Sequence, residues 1–285
     1  MKKYLANIDL ITLAVAVIGV LLRYWHLSSG PDSNGLYPGN HIAWILLLCF
    51  SAAVAVALFL IAGTAGKSRS YTANFSPSPV GAAGYALAGF ALLFSAYGYL
   101  RGEALLLYTM AGILGLLSGV ALLLGGWCRW KGTRPHFLVF ALPCVFFALR
   151  LFCTGHVWGD EPELHRYLPG FFANVMCVLA AYQLWAFGVN LGNRSRCLLC
   201  SLLSVYLCLV AIPGSTDAGF YLAIALWLFT NLCPKTAAPF RPVVRPDPAA
   251  QTEEPPAEAA PQEETDPEIE AIISDLRMKI DEIKE

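Results

Sequence analysis

Two arginines sit where an apolar chain rarely holds a charge. Arg23 follows Val20-Leu21-Leu22 and Arg150 follows Phe147-Ala148-Leu149, each near the end of a long hydrophobic run. An arginine at the centre of a bilayer costs at least ~2.5–3.5 kcal/mol, so such residues turn into a protein interior or extend to the interface. Two chemistries fit. In one, each guanidinium reaches the interface and pairs with Asp32, Asp160, Glu161 or Glu163. In the other, Arg23 and Arg150 line an outward-facing pocket for a small anionic ligand, with Asp160 and Glu163 beside it.

Other chemistries lack their residues. His26, His41, His156 and His165, with the nearby carboxylates, offer metal donors, but their spacing matches no zinc signature, so structural or interfacial histidines and no metal are expected. The 9 cysteines are odd in number and lie mostly inside apolar runs, which argues against a disulfide framework. Cys197-Leu-Leu-Cys200 has two leucines where a redox turn belongs. Cys128, Cys197, Cys200 and Cys233 fall near one interface, where a thiolate metal site is the alternative to small core residues. Gly66-Lys67-Ser68 ends like a phosphate loop, yet Ile61 stands at the first glycine position and an apolar run precedes it in place of a strand. Asp9, Glu103 and Asp217 stand at segment ends, not at the mid-membrane position typical of ion-coupled transport. No catalytic motif is present, and no cofactor or nucleic-acid partner is expected.

The elements that position these residues are read from hydropathy. The chain has 285 residues, 57% hydrophobic and 14% charged, with mean hydropathy +0.57; a soluble chain is nearer ~25% charged. Crossing ~30 Å of hydrocarbon takes ~17–25 residues. Eight runs approach that length, at about 7–27, 41–62, 80–99, 104–127, 137–154, 169–191, 198–213 and 218–233. The breaks between them, such as Ser76-Pro77-Ser78-Pro79, Gly192-Asn193 and Pro213-Gly214, are turn chemistry. The last two runs are short, so they either cross a thinned bilayer or form a re-entrant hairpin. The expected fold is an all-α integral membrane bundle of eight helices over 1–234.

Charge orients the bundle. Alternate loops carry Lys2 and Lys3; Lys67 and Arg69; Arg129, Lys131 and Arg134; Arg194 and Arg196; and Lys235, Arg241 and Arg245, while the opposite loops carry only Arg101 and Arg166. The positive-inside rule then places both termini in the cytoplasm of a plasma membrane. Lys2-Lys3 before an apolar run resembles a signal peptide, but Asp9 and the absence of a small-x-small site favour a retained anchor helix. Tyr24, Trp25, Tyr37, Trp44, Trp158 and Tyr167 mark the outer interface, and Trp127 and Trp130 the inner. Gly115-Leu-Leu-Ser-Gly119 allows close helix approach, read as packing within the bundle.

Spans one and two resemble spans five and six. Leu22-Arg23, Gly30-Pro31-Asp32 and Tyr37-Pro38-Gly39 are echoed by Leu149-Arg150, Gly159-Asp160-Glu161-Pro162 and Tyr167-Leu168-Pro169-Gly170. A 4+4 parallel duplication about an axis along the membrane normal would produce this, and so would chance similarity. Within the second copy, Arg150-Leu-Phe, Trp158-Gly-Asp160-Glu-Pro162, Tyr167 and the helix Asn174–Tyr182 resemble a pattern in a family of multi-pass membrane proteins of clostridial-type bacteria. The resemblance covers about 149–213, with Glu161 inserted between the Asp and the Pro of that pattern. It implies a membrane bundle and brings no activity or site residue.

The tail differs in kind. Residues 1–240 carry a net +7 and residues 241–285 a net −8. Between 235 and 265 the chain is rich in Pro, Ala and Glu, a composition that cannot bury enough apolar surface to order itself, so a disordered linker is expected. Thr265-Asp266-Pro267-Glu268 then reads as a helix start. Ile269, Ile273, Leu276, Ile280 and Ile283 follow at helical spacing, an amphipathic, coiled-coil-like stripe over 266–285. Homotypic pairing would oppose Lys279 and Lys284, and the acidic face disfavours anionic lipid, so a heterotypic protein partner fits best. The alternative is docking on its own bundle. Two functions are therefore expected: a non-enzymatic membrane anchor or sensor that recruits a cytoplasmic protein through the Ile269–Ile283 stripe, or a small-solute transporter or channel with its site near Arg23 and Arg150.

Overall fold

A computed structural model describes residues 8–29, 41–65, 69–75, 77–101, 106–159 and 164–232. Asp160, Glu163, the linker and the stripe residues Ile269, Ile273, Leu276, Ile280 and Ile283 lie outside the described residues. Among those described, all regular structure is helical: α1 Ile8–Ser28, α2 Ile42–Gly63, a single turn α3 Tyr71–Asn74, α4 Pro79–Arg101, α5 Leu106–Lys131, α6 Leu138–Gly159, α7 Leu164–Gly188, α8 Arg194–Ala211 and α9 Ala218–Leu232. Seven are long and apolar enough to cross a membrane. The eighth apolar helix, α9, has 15 residues and so spans only ~22 Å at ~1.5 Å per residue.

Local chemistry sets the ends. The His41 side chain accepts from the Ala43 amide at 3.3 Å and caps α2. Asn193 Oδ1 accepts from the Arg196 amide at 3.3 Å and caps α8. That cap starts α8 four residues before the expected 198. Helix α7 also begins early, at Leu164, and carries Pro169 in its second turn, where the sequence reading began the span. Proline removes one backbone donor, and the helix here continues through that single loss.

Helices α4, α5, α6, α7, α8 and α9 each pack on the next, and α9 closes back on α4. Aromatic and aliphatic side chains fill this ring, among them Phe146, Phe147, Leu92, Leu184, Trp227 and Leu228. Helices α1 and α2 form a hairpin laid against α8. Its seam is apolar, with Ala16, Leu47, Leu58, Leu202 and Val210, and is pinned by a hydrogen bond between Ser51 and the Tyr206 hydroxyl at 2.8 Å. The α5 glycines serve the ring: a Cβ on Gly119 would meet the Gly89 carbonyl oxygen of α4 at 2.9 Å.

The packing does not repeat between the halves. Spans one and two sit outside the ring against α8, whereas spans five and six, α6 and α7, are members of it. Helix α9, shorter than α4, packs along it from about Tyr99 to Tyr85. At one end Asp217 and Tyr99 both reach Arg150; at the other, Asn231 Nδ2 donates to the Tyr85 hydroxyl at 3.0 Å. Most large side chains on the perimeter, such as Leu60, Phe90, Phe94 and Leu124, are exposed, as an apolar surface in contact with lipid requires.

Candidate functional site

A cavity of about 270 Å³ opens at one end of the bundle. Its walls come from the C-terminal ends of α1, α4, α6 and α8 and the N-terminal ends of α5, α7 and α9, so consecutive helices run in opposite directions. This is the end that the charge bias assigns to the outside. Tyr99, Tyr108, Tyr167 and Tyr221 supply phenol rings, Arg23 a guanidinium, and Ser215, Thr216 and Asp217 the polar loop between α8 and α9.

Arg150 stands directly behind this wall, 2% exposed. Its Nη1 donates to Ser95 Oγ at 3.0 Å and to the Tyr99 hydroxyl at 3.2 Å. Its Nη2 donates to Asp217 Oδ2 at 2.5 Å, and its guanidinium lies 3.9 Å from the Phe220 ring centroid. A buried cation persists only when charge and hydrogen bonds are both supplied, and here they are. Asp217 is 48% exposed and immediately precedes α9, where its carbonyl accepts from the Tyr221 amide at 3.1 Å. The helix N-terminus therefore also favours its negative charge.

Arg23 arrives from the outlying hairpin. It is 2% exposed, with Nη1 3.2 Å from His26 Nδ1 and its guanidinium 5.8 Å from the Trp44 ring centroid. His26 is fully buried, its ring 5.3 Å from that of Trp44. The packing of α1 on α8 is what carries Arg23 to the cavity. Both arginines are buried, each 2% exposed. The carboxylate facing Arg150 is Asp217, 67 residues on, not one of the four acids expected from the sequence. Ring closure at α9 delivers it. Asp160 and Glu163 lie outside the described residues.

The loop holding Asp217 turns at Gly214, with φ +75°, where a Cβ would come within 2.8 Å of Leu27 Cδ1. Glycine alone meets both conditions without strain. Beneath the cavity, Asn174 Nδ2 donates to the Tyr221 hydroxyl at 3.3 Å, while Asn174 Oδ1 is buried without a hydrogen-bond partner among the described residues. Cys177 Sγ lies 3.2 Å from Ser204 Oγ and 3.5 Å from Cys208 Sγ. The described residues contain no cluster of three or more metal-ligating side chains.

Arg23, Arg150 and Asp217 bring two guanidinium groups and one carboxylate to this end of the bundle. Phenol hydroxyls around a cation of this kind suit a small anion, held by charge-assisted hydrogen bonds. Sequence reasoning found both arginines because a charge inside an apolar run stands out. It missed Asp217 and the tyrosine wall. The available signal was that Tyr99, Tyr108, Tyr167, Tyr221 and Asp217 all fall at helix ends on the same side as Arg23 and Arg150. No protein family, curated protein or solved structure matches the chain.

Proposed function

We propose that this chain is a multi-pass plasma-membrane protein, with both termini cytoplasmic, that binds a small anionic solute from outside. The observation that carries this reading is the tyrosine-walled cavity with Arg23 in its lining and the Arg150–Asp217 pair behind it. Arg150 and Asp217 fix the α8–α9 loop, and Arg23 supplies the charge that the solute meets. The site is one of binding and passage, as a transporter, channel or sensor uses.

Thermal unfolding of the purified full chain tests it against a panel of small mono- and dicarboxylates and phosphates. A ligand at 100 times its Kd stabilises by ~2.7 kcal/mol, which raises Tm by roughly 5–10 °C for a protein of this size. Arg23→Gln should remove the shift. A panel without any shift would refute the reading.

A second reading rests on the spacing of Ile269, Ile273, Leu276, Ile280 and Ile283. In it, these residues form a helix that recruits a cytoplasmic protein, tethered by the linker 235–265. Affinity purification comparing the full chain with one ending at Thr265 tests it: a partner retained only by the full chain supports recruitment, and matching sets of retained proteins oppose it.

A further inference from the structure

The run of polar groups continues beneath the tyrosine cavity. On α7, Gly170 lines the cavity, and Asn174 and Cys177 follow it at helical spacing on the same face. On α8, Ala211 lines the cavity, with Cys208 and Ser204 at the same spacing further in. These two stripes meet, since Cys177 Sγ contacts both Ser204 Oγ and Cys208 Sγ. All four polar side chains are buried.

Tyr221 separates this inner seam from the cavity it lines. Its hydroxyl donates to the Gly170 carbonyl at 3.5 Å and accepts from Asn174 Nδ2 at 3.3 Å. A phenol has one proton, so a hydroxyl that donates to Gly170 can only accept from Asn174, which fixes which end of the amide it meets. Asn174 Oδ1 is thereby left without a hydrogen-bond partner among the described residues. A buried acceptor in that state costs about 1–3 kcal/mol, whereas the core positions around it on α7, Ala173, Ala180 and Ala181, are apolar. Both Tyr221 bonds are also longer than hydrogen bonds of their kind usually are, so the closure they make is weak.

We propose that the seam is an inner compartment of the anion site, reached past Tyr221, in which Asn174 Oδ1 accepts a hydrogen bond from the solute. The solute is then a small carboxylate that also carries a hydroxyl or amino group. A site built to hydrogen-bond such a group rejects the analogue that lacks it far more strongly than a hydrophobic pocket rejects a missing methylene. The solute class rests on the anion reading above; the compartment rests on the seam alone, and two readouts separate them.

The first is labelling of the purified full chain with 2-sulfonatoethyl methanethiosulfonate, a small anion that forms a mixed disulfide with a thiolate and releases methanesulfinate. Peptide mass spectrometry follows each cysteine. Cys177 and Cys208 should react in the folded chain, and about tenfold faster in Tyr221→Phe, which keeps the ring and removes both hydrogen bonds. Cys197, buried elsewhere on α8, should keep its rate. Thiols inert in both folded proteins but reactive after denaturation overturn the compartment. So does an equal gain at Cys197, which would mean general loosening, or a rate that Tyr221→Phe leaves unchanged. The second readout is protection from labelling by lactate against propionate and by malate against succinate. Protection by the hydroxylated member at about tenfold lower concentration supports the role of Asn174, and equal protection overturns it. Labelling as expected with no protection by any of the four refutes the anion reading and the solute class together, and the compartment stands.

Discussion

The two ends of the bundle each bury an arginine beside a phenylalanine ring, and each opens a cavity there. Arg150 lies 3.9 Å from the Phe220 centroid and bonds Tyr99 and Asp217. Arg129 lies 5.3 Å from the Phe75 centroid, between loops 64–79, 129–138 and 188–197 that carry no Asp or Glu. Among the described residues, the ion pair of Arg150 with Asp217 is made at the end where the α8–α9 loop closes the ring. At the other end the protein surrounds its cation with aromatic faces and leaves an open pocket beside it.

The largest expected effect breaks the first of these arrangements. Asp217→Asn strands a fully buried guanidinium, and removing one partner of such a pair costs about 3 kcal/mol. Arg150→Met leaves a carboxylate that is 48% exposed and therefore reachable by water, so it should cost less. The double variant should recover most of the loss, because without Arg150 no buried charge is left to strand. Denaturation of the three proteins in one detergent measures the order. A loss under ~1 kcal/mol in Asp217→Asn would mean that Tyr99, Ser95 and Phe220 alone suffice for Arg150.

Next come the two turns. Alanine at positive φ costs about 1–2 kcal/mol, so Gly214→Ala and Gly132→Ala should destabilise by similar amounts, each with a close contact to relieve. Their functional effects should separate. Gly214→Ala displaces the loop carrying Asp217 and should weaken anion binding at the tyrosine cavity; Gly132→Ala, at the opposite end, should leave that binding intact. Loss of binding in both variants would show that the two ends are coupled through the ring.

How far this arrangement was legible in the sequence follows from what sequence carries. Hydropathy registers burial in lipid, so all eight apolar helices were found, and the short α9 packs on α4, with Tyr85 and Asn231 meeting at its far end. Boundaries failed where one residue outweighed the pattern: Asn193 caps α8 early, and Pro169 sits inside α7. Arg23 and Arg150 were visible as charges out of place. Their surroundings were not, because hydropathy says nothing about which helix neighbours which. Asp217 meets Arg150 only through closure of α9 on the ring, and the hairpin α1–α2 lies outside that ring although its sequence echoes α6–α7.

Smaller effects sharpen the contrast within the cavity. Tyr108 lines it and its ring stacks on Tyr99, with centroids 6.0 Å apart. Tyr108→Phe keeps the ring and removes one hydroxyl, so Tm without ligand should move little. If that hydroxyl donates to the bound anion, affinity should fall about tenfold, the worth of one hydrogen bond to a charged group. Isothermal titration of whichever anion stabilises the wild type measures it. An unchanged Kd would place the anion against Arg23 and the α8–α9 loop instead.

The smallest expected change is at the other end. Arg129→Met removes a guanidinium that is 2% exposed, and with it a desolvation penalty and the contact with Phe75. These losses and gains are of comparable size, and stability in detergent should stay within about 1 kcal/mol of the wild type. The contrast with Asp217→Asn is the point of the experiment, since each variant deletes one charge from a site with a buried arginine. Only the one that leaves that arginine behind should be severe. A large loss in Arg129→Met would mean that the Phe75 contact holds the α5–α6 turn, and that the pocket is part of the scaffold.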